Sequence, residues 1–324
     1  MKKIITLLAL ASLTASIFAL PNLLKKEQFG ADAIEKLNFD LSWENLVVKE
    51  TYDTTGIDVE IYCNHKNYAP EVSVSEATLN IESVKRSFGF VDIPKNPTGT
   101  KCTVIVYVPQ KKDFNEISIN VSSGEINIER PLSAKSEISI KASSGNINSS
   151  KGLFADNLKV EASSGDIELY NIDADDFSVT TSSGAIYVEK FTGGTGSLKA
   201  TSGEIKTKDF ASEYAEFNTS SGTIYVKQLD CDYFDAKSSS GNITLDFKNS
   251  PAATSSVKCT SGDVELFIPM RSKFTIDVSC TSGTFRDKFN NNRLNPRESY
   301  QMDYNGGGPV IQVQTTSGDV TLEY

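Results

Sequence analysis

The dipeptide Ser-Gly recurs ten times, with its glycine at Gly124, Gly145, Gly165, Gly184, Gly203, Gly222, Gly241, Gly262, Gly283 and Gly318. Successive glycines stand 19 to 21 residues apart as far as Gly283, and 35 residues separate the last two. The residue two before each glycine is Ser or Thr, and the residue two after it is always apolar, from Ile126 to Val320. A period of this length marks an architecture in which small units stack, because one unit cannot bury its own apolar face.

Within a unit, apolar and polar residues alternate as in a half-buried strand. Leu158, Val160 and Ala162 point one way and Lys159 and Glu161 the other; Ile167 and Leu169 resume the apolar face after Gly165. Asn171 to Asp176 reads as a short polar connection to Phe177 and the next unit. In-register stacking at about 4.8 Å per rung joins like positions into parallel sheets, and ten rungs make a rod of roughly 50 Å. The expected fold is all-β: a single-stranded parallel β-helix, or solenoid, with 19–21 residues per rung. Parallel crossovers favour the right-handed form.

The corner glycine is expected to supply a backbone conformation that other residues resist. The serine before it has inward parity, so its hydroxyl needs a partner at the corner. The column three before glycine holds only modest side chains, among them Ala142, Thr181, Ser238, Cys259, Cys280 and Thr315, which fits a narrow inner corner.

The flanks divide the chain. Met1 to Lys3 is a basic start, Ile4 to Phe18 is apolar and Ala19 suits a cleavage point, so residues 1–19 read as a signal peptide for export. An uncleaved anchor is the competing reading, although a bilayer span needs about 20 residues. Residues 20–33 form an N-terminal segment, and 34–115 read as irregular first rungs and a cap, in which Leu41 to Leu46 is a corner without its glycine. The regular solenoid covers 116–324, interrupted by a loop at about 285–309, and 34–324 form one continuous domain. The last strand then lies at an open edge that needs cover.

The corners, the strand-proline segments Val106-Tyr107-Val108-Pro109 and Leu266-Phe267-Ile268-Pro269, and the ending from Gly308 to Val320 resemble a bacterial putative-adhesin family of exported proteins of unknown function. The resemblance spans about residues 32–324. It implies a single-stranded β-helix and brings no catalytic residues with it.

With 32 basic against 42 acidic residues the net charge is −10, which argues against nucleic acid as a partner. Carbohydrate-active β-helices need carboxylates clustered across adjacent rungs. Here the position after the corner glycine reads Glu125, Asn146, Asp166, Ala185 and Glu204 in succession, with no three consecutive carboxylates. The acidic groups Asp173 to Asp176 and Asp230 to Asp232 lie three units apart and read as solvated loop charge. The single histidine, His65, has only Cys63 near it in sequence, too few ligands for a metal. No catalytic residue, metal or cofactor is expected.

Five cysteines in an exported chain leave one unpaired. Cys63 and Cys102 fall in neighbouring irregular strands, where a disulfide and two free thiols are equally open. Cys259 and Cys280 are expected in one column on successive rungs, as buried thiols, because parallel side chains hold their Cβ atoms apart.

On the outer surface Tyr187 and Tyr225 stand two rungs apart on one face, and Lys141, Lys199, Lys237 and Lys258 share a column on another. The tyrosines are candidates for stacking on a sugar. The expected function is a noncatalytic adhesin or cell-envelope interaction protein, in the periplasm, at the cell surface or outside the cell. Its partner would be a protein or glycan. A scaffold that self-associates through solenoid edges is the alternative, with a polysaccharide-active enzyme behind it.

Overall fold

The computed structural model describes residues 21–84, 87–88, 91–92, 99–295 and 299–324. The expected signal peptide lies outside them. One 24-stranded sheet winds through the chain, and no α-helix occurs among the described residues. Rungs are named here by the residue at their corner.

A regular rung has three arms. In the Gly165 rung the first arm is Asn157 to Ala162, paired in parallel with Glu137 to Ala142 on one side and Asp176 to Thr181 on the other. The second arm follows the corner as Ile167 to Leu169, and the third runs from Asn171 to Ala174. That third arm corrects the polar connection expected at Asn171 to Asp176. It is strand, in register with Gly152 to Ala155 on one side and Phe191 to Gly193 on the other, and it turns Ile172 and Ala174 into the core. The strand Ile167–Thr181 therefore passes through three arms, the last of them the first arm of the next rung, without a break.

Inward side chains fit one another by volume across the rungs. The third-arm column Ile172, Phe191, Phe210 and Leu229 faces the first-arm column Phe177, Gly196, Ala215 and Phe234. Phe177, Phe191 and Phe210 stack at centroid distances of 4.9 and 4.8 Å. A Cβ at Gly196 would lie 2.4 Å from the Phe210 ring, so the smallest residue sits where the two largest neighbours meet. Each such buried phenyl contributes about 1.5–3 kcal/mol through removal from water.

The glycine corner works differently from expectation. Only Gly241, Gly262 and Gly318 of the ten have a left-handed φ. What excludes a side chain is the rung before: a Cβ at Gly145 would lie 1.8 Å from the Gly124 carbonyl oxygen, one at Gly165 1.9 Å from that of Gly145, and one at Gly184 1.9 Å from that of Gly165. The two residues before each glycine, Ser163 and Ser164 in one rung, are both exposed, so the serine expected inward faces water. The residue three before does turn in. Thr181, Thr219 and Ser238 donate hydroxyls to the carbonyls of Gly165, Gly203 and Gly222, each at 3.4 Å.

The residue after the glycine builds a ladder. Side-chain oxygens of Asn45, Asn146, Asp166, Asn242, Asp263 and Asp319 each accept the backbone N–H of the same position one rung on, at 2.8–3.0 Å. A short Asn or Asp reaches that amide and keeps the corner N–H satisfied.

Chain order and stack order part company at both ends. The Glu44 rung, Lys36–Leu41 and Asn45–Thr51, lies between the Gly124 rung and an outer layer formed by Thr78–Glu82 and Cys102–Pro109. At the other end the last strands, Val310–Ser317 and Val320–Glu323, slot between the Gly262 and Gly283 rungs. The final strand is thus an interior one, correcting the open edge expected for it. The edge belongs to the Gly283 rung, and the segment expected as a loop at 285–309 covers it with Asn292–Leu294 and Tyr300–Tyr304, both antiparallel. The returning strand Val310–Ser317 separates Cys259 from Cys280. Thr315 pairs with both, so they are two rungs apart, about 9.6 Å.

At the first corner Glu44 occupies the glycine position, against the Gly124 corner of the next rung. Its carboxylate folds back and is wholly buried, with Oε2 accepting from Ser42 N, Trp43 N and Ser83 Oγ at 3.0, 3.0 and 2.6 Å.

Candidate functional site

Since the core and corners are committed to stacking, chemistry available to a partner lies in the outward columns. Two groups of aromatic residues stand out there. The first contains the tyrosines singled out from sequence. Tyr187, Lys206 and Tyr225 are consecutive members of one column on the second arm. Lys206 therefore sits between the two rings, with its Nζ 6.0 Å from the Tyr225 centroid, and Lys227 Nζ approaches that ring at 5.4 Å. The Tyr187 hydroxyl donates to Glu189, which also receives Lys208, and the edge of Tyr170 meets the ring at 6.2 Å. Burial, then the bond to Glu189, pushes the Tyr187 hydroxyl far above its usual range. Tyr187 and Tyr225 belong to a charged cluster in which each ring already has neighbours.

The second group was not recognised in the sequence. Tyr214 and Tyr233 are register partners where the third arm turns into the first, and their rings stack at 4.7 Å with an interplanar angle of 23°. Tyr233 is 44% exposed. The Tyr214 hydroxyl lies 3.2 Å from Asp235 Oδ2; burial, followed by the charges of Asp235 and Glu216, pushes it up to about 12. The spacing of 19 residues between these tyrosines equals the repeat and is the signal that could have revealed them.

The same column continues from Tyr214 through Thr195, Asp176 and Asn157 to Glu137. Here the surface dips into an open groove of about 360 Å³, lined by Glu137, Asn157, Lys159, Asp176, Ser178, Thr195 and Ser197, with Leu158 and Phe177 also at its wall. The short side chains of Thr195, Ser178 and Ser197 make the dip, and Tyr214 closes one end of the row. Ser197 Oγ donates to Glu216 at 3.0 Å, and Lys199 also pairs with Glu216 at 2.8 Å.

Lys141, Lys199, Lys237 and Lys258 share one first-arm column, with Lys141 paired to Glu161 at 2.9 Å. His65 is exposed against Tyr68, while Cys63, a buried free thiol in this structure like Cys102, donates to the His65 carbonyl at 3.5 Å. Among the described residues, no three His, Cys, Asp or Glu side chains gather as metal ligands. No helix among them is long and apolar enough to cross a membrane.

The Toastrack DUF4097 family matches this chain over residues 34–209 and again over 151–323. The chain belongs to that family. The two matches overlap over residues 151–209. Among solved structures the chain is similar to a "putative adhesin" from Parabacteroides distasonis ATCC 8503, at 14% identity over 93% of this chain and 97% of that one, with a TM-score of 0.46. A "putative adhesin" from Bacteroides fragilis NCTC 9343 matches at 14% identity, 93% and 96% coverage and a TM-score of 0.34. A "putative lipid binding protein" from Parabacteroides distasonis ATCC 8503 matches at 16% identity, 93% and 96% coverage and 0.41. No curated protein matches the chain.

Proposed function

We propose that this Toastrack protein is a noncatalytic, exported adhesin-type module that holds a glycan on one face of its solenoid. The observation that carries the reading is the Tyr214–Tyr233 stack, with Tyr233 44% exposed, on the row that runs along an open groove. An aromatic face with hydroxyl, amide and carboxylate groups beside it suits a sugar ring, which offers C–H groups on one side and hydroxyls at its rim. A rung-locked surface keeps these groups in place without a ligand, which lowers the ordering cost of binding.

The corner carboxylates support a noncatalytic role. Asp166, Asp263 and Asp319 each spend an oxygen on a backbone amide of the next rung. A scaffold in the cell envelope is the second reading, favoured by strands Leu23–Gly30 and Glu71–Ser75, each paired along one side only among the described residues. That reading requires concentration-dependent assembly.

Glycan-array binding followed by titration against the strongest hits tests the proposal, using the wild type, Tyr233→Ala and Tyr225→Ala. Saturable binding weakened about tenfold or more by Tyr233→Ala, a loss of roughly 1.4 kcal/mol, is expected. Tyr225→Ala should leave it unchanged. Absence of saturable binding, or equal binding by Tyr233→Ala, overturns the assignment.

A further inference from the structure

We infer that Cys63 and Cys102 form the one intramolecular disulfide of this chain, a cross-strand staple that fastens the N-terminal cap to the solenoid. The two residues are register partners in the antiparallel pair Gly56–Cys63 and Cys102–Pro109. Asn64 N donates to Lys101 O at 3.2 Å, whereas Cys63 N points the other way, to Asn22 O at 3.2 Å. Cys63 and Cys102 therefore occupy a non-hydrogen-bonded site, where Cα atoms approach to about 4.5 Å and side chains lie on the same face. That separation falls inside the range a disulfide bridges.

No other pairing is open. Cys259 and Cys280 have Thr315 between them, and Cys231 follows the register of Ser212 on the third arm of a distant rung. The strand Cys102–Pro109 is the hub of the cap, pairing with Asn45–Thr51 on one side and Gly56–Cys63 on the other. A bond here closes the segment between Cys63 and Cys102 into a loop and fixes both strands to the outer layer.

The surroundings set when the bond forms. Both cysteines are buried, at 0% and 4% exposure, and Glu44 keeps a buried carboxylate oxygen, Oε1, without a partner nearby. Burial shields both sulfurs of a reduced pair from an external oxidant inside the closed cap, and burial, the Cys63 thiol and the Glu44 charge raise the Cys102 thiol. A neutral disulfide removes the ionisable sulfur from beside that carboxylate. Oxidation therefore precedes cap closure. One cysteine thiolate attacks a sulfur of an external disulfide, such as that of a thiol oxidoreductase or glutathione disulfide, and expels its first thiolate. The second cysteine thiolate then attacks the mixed disulfide and expels the oxidant's other sulfur. The two cysteine protons end on the oxidant's thiolates and two electrons pass to it.

The test is refolding of reduced protein with and without glutathione disulfide, followed by denaturation, iodoacetamide and intact-mass measurement. Five cysteines are present, so three adducts are expected after oxidative refolding and five after reduction, with a peptide joining Cys63 to Cys102. Cys63→Ser should give four adducts under either condition. In addition, oxidant supplied only after the reduced protein has folded should give five. Five adducts after oxidative refolding, or a link involving Cys231, Cys259 or Cys280, overturns the inference. The readout is independent of glycan binding and of the site of export.

Discussion

Replacing Gly184 with Ala should destabilise the stack although the backbone there needs no left-handed conformation. A Cβ at this position would lie 1.9 Å from the Gly165 carbonyl oxygen and 2.5 Å from its carbon. Ordinary contact requires about 3.5 Å or more, so the rungs must part locally by well over an ångström. Overpacking of a tight site costs about 1–3 kcal/mol. The bonds that parting strains include Ser183 N to Ser163 O at 3.0 Å and Ala185 N to Asp166 Oδ1 at 2.8 Å. Losing both adds about 0.5–1.5 kcal/mol each, for a total of about 2–6 kcal/mol. Gly30→Ala is the control, because nothing lies within 4 Å of its Cβ and its φ is −60°; its effect should stay within about 0.5 kcal/mol. Denaturant titration by circular dichroism, with hydrogen exchange at Ser183 and Ala185, reads both variants. If Gly184→Ala matches Gly30→Ala, the steric account of the corner is wrong. A Val at Gly184 should be no better than Ala, since the clash begins at Cβ.

Two further perturbations address the C-terminal end. Deleting residues 310–324 removes a strand pair from inside the stack and leaves the Gly262 and Gly283 rungs facing an empty layer, so cooperative melting should be lost or greatly lowered. A peptide of residues 310–324 added in trans should restore it, and an unaltered melting temperature without the peptide would contradict the rung order. Asp319 accepts from Thr284 N at 2.9 Å and pairs with Arg286 at 2.7 Å, and these hold its carboxyl below the ordinary range. A carboxyl lowered in the folded state stabilises above its unfolded value, about 3.9, and that contribution fades as pH falls through the folded value. Asp319→Asn keeps the acceptor for Thr284 and should flatten the loss of stability below about pH 4; denaturation midpoints with the same slope as wild type would contradict this.

Much of the fold was legible because the core columns repeat in phase. Ile126, Ile147, Ile167 and Ile186 are inward in the sequence pattern and buried in the structure, and Glu44 stands where the corner glycine was missed. The third arm was obscured by its polar composition, since Ile172 and Ala174 give only two inward residues among three acids and an Asn. Rung order was beyond reach because spacing reports succession along the chain. It cannot tell that Val310–Ser317 returns to fill the layer between Cys259 and Cys280. The glycine's reason was also hidden, as a carbonyl 1.8 Å from an absent Cβ leaves the same mark on a sequence as a left-handed turn. Tyr214 and Tyr233 were readable at the repeat spacing, but their exposure depends on where the third arm bends into the first.

Protease shaving of intact cells tests most directly whether this solenoid works as a surface module. The mature protein is followed with antibody, alongside a periplasmic control protein. Selective loss of the Toastrack protein while the control survives is the predicted result. Full protection until the envelope is disrupted would contradict an adhesin and leave the envelope scaffold as the surviving account.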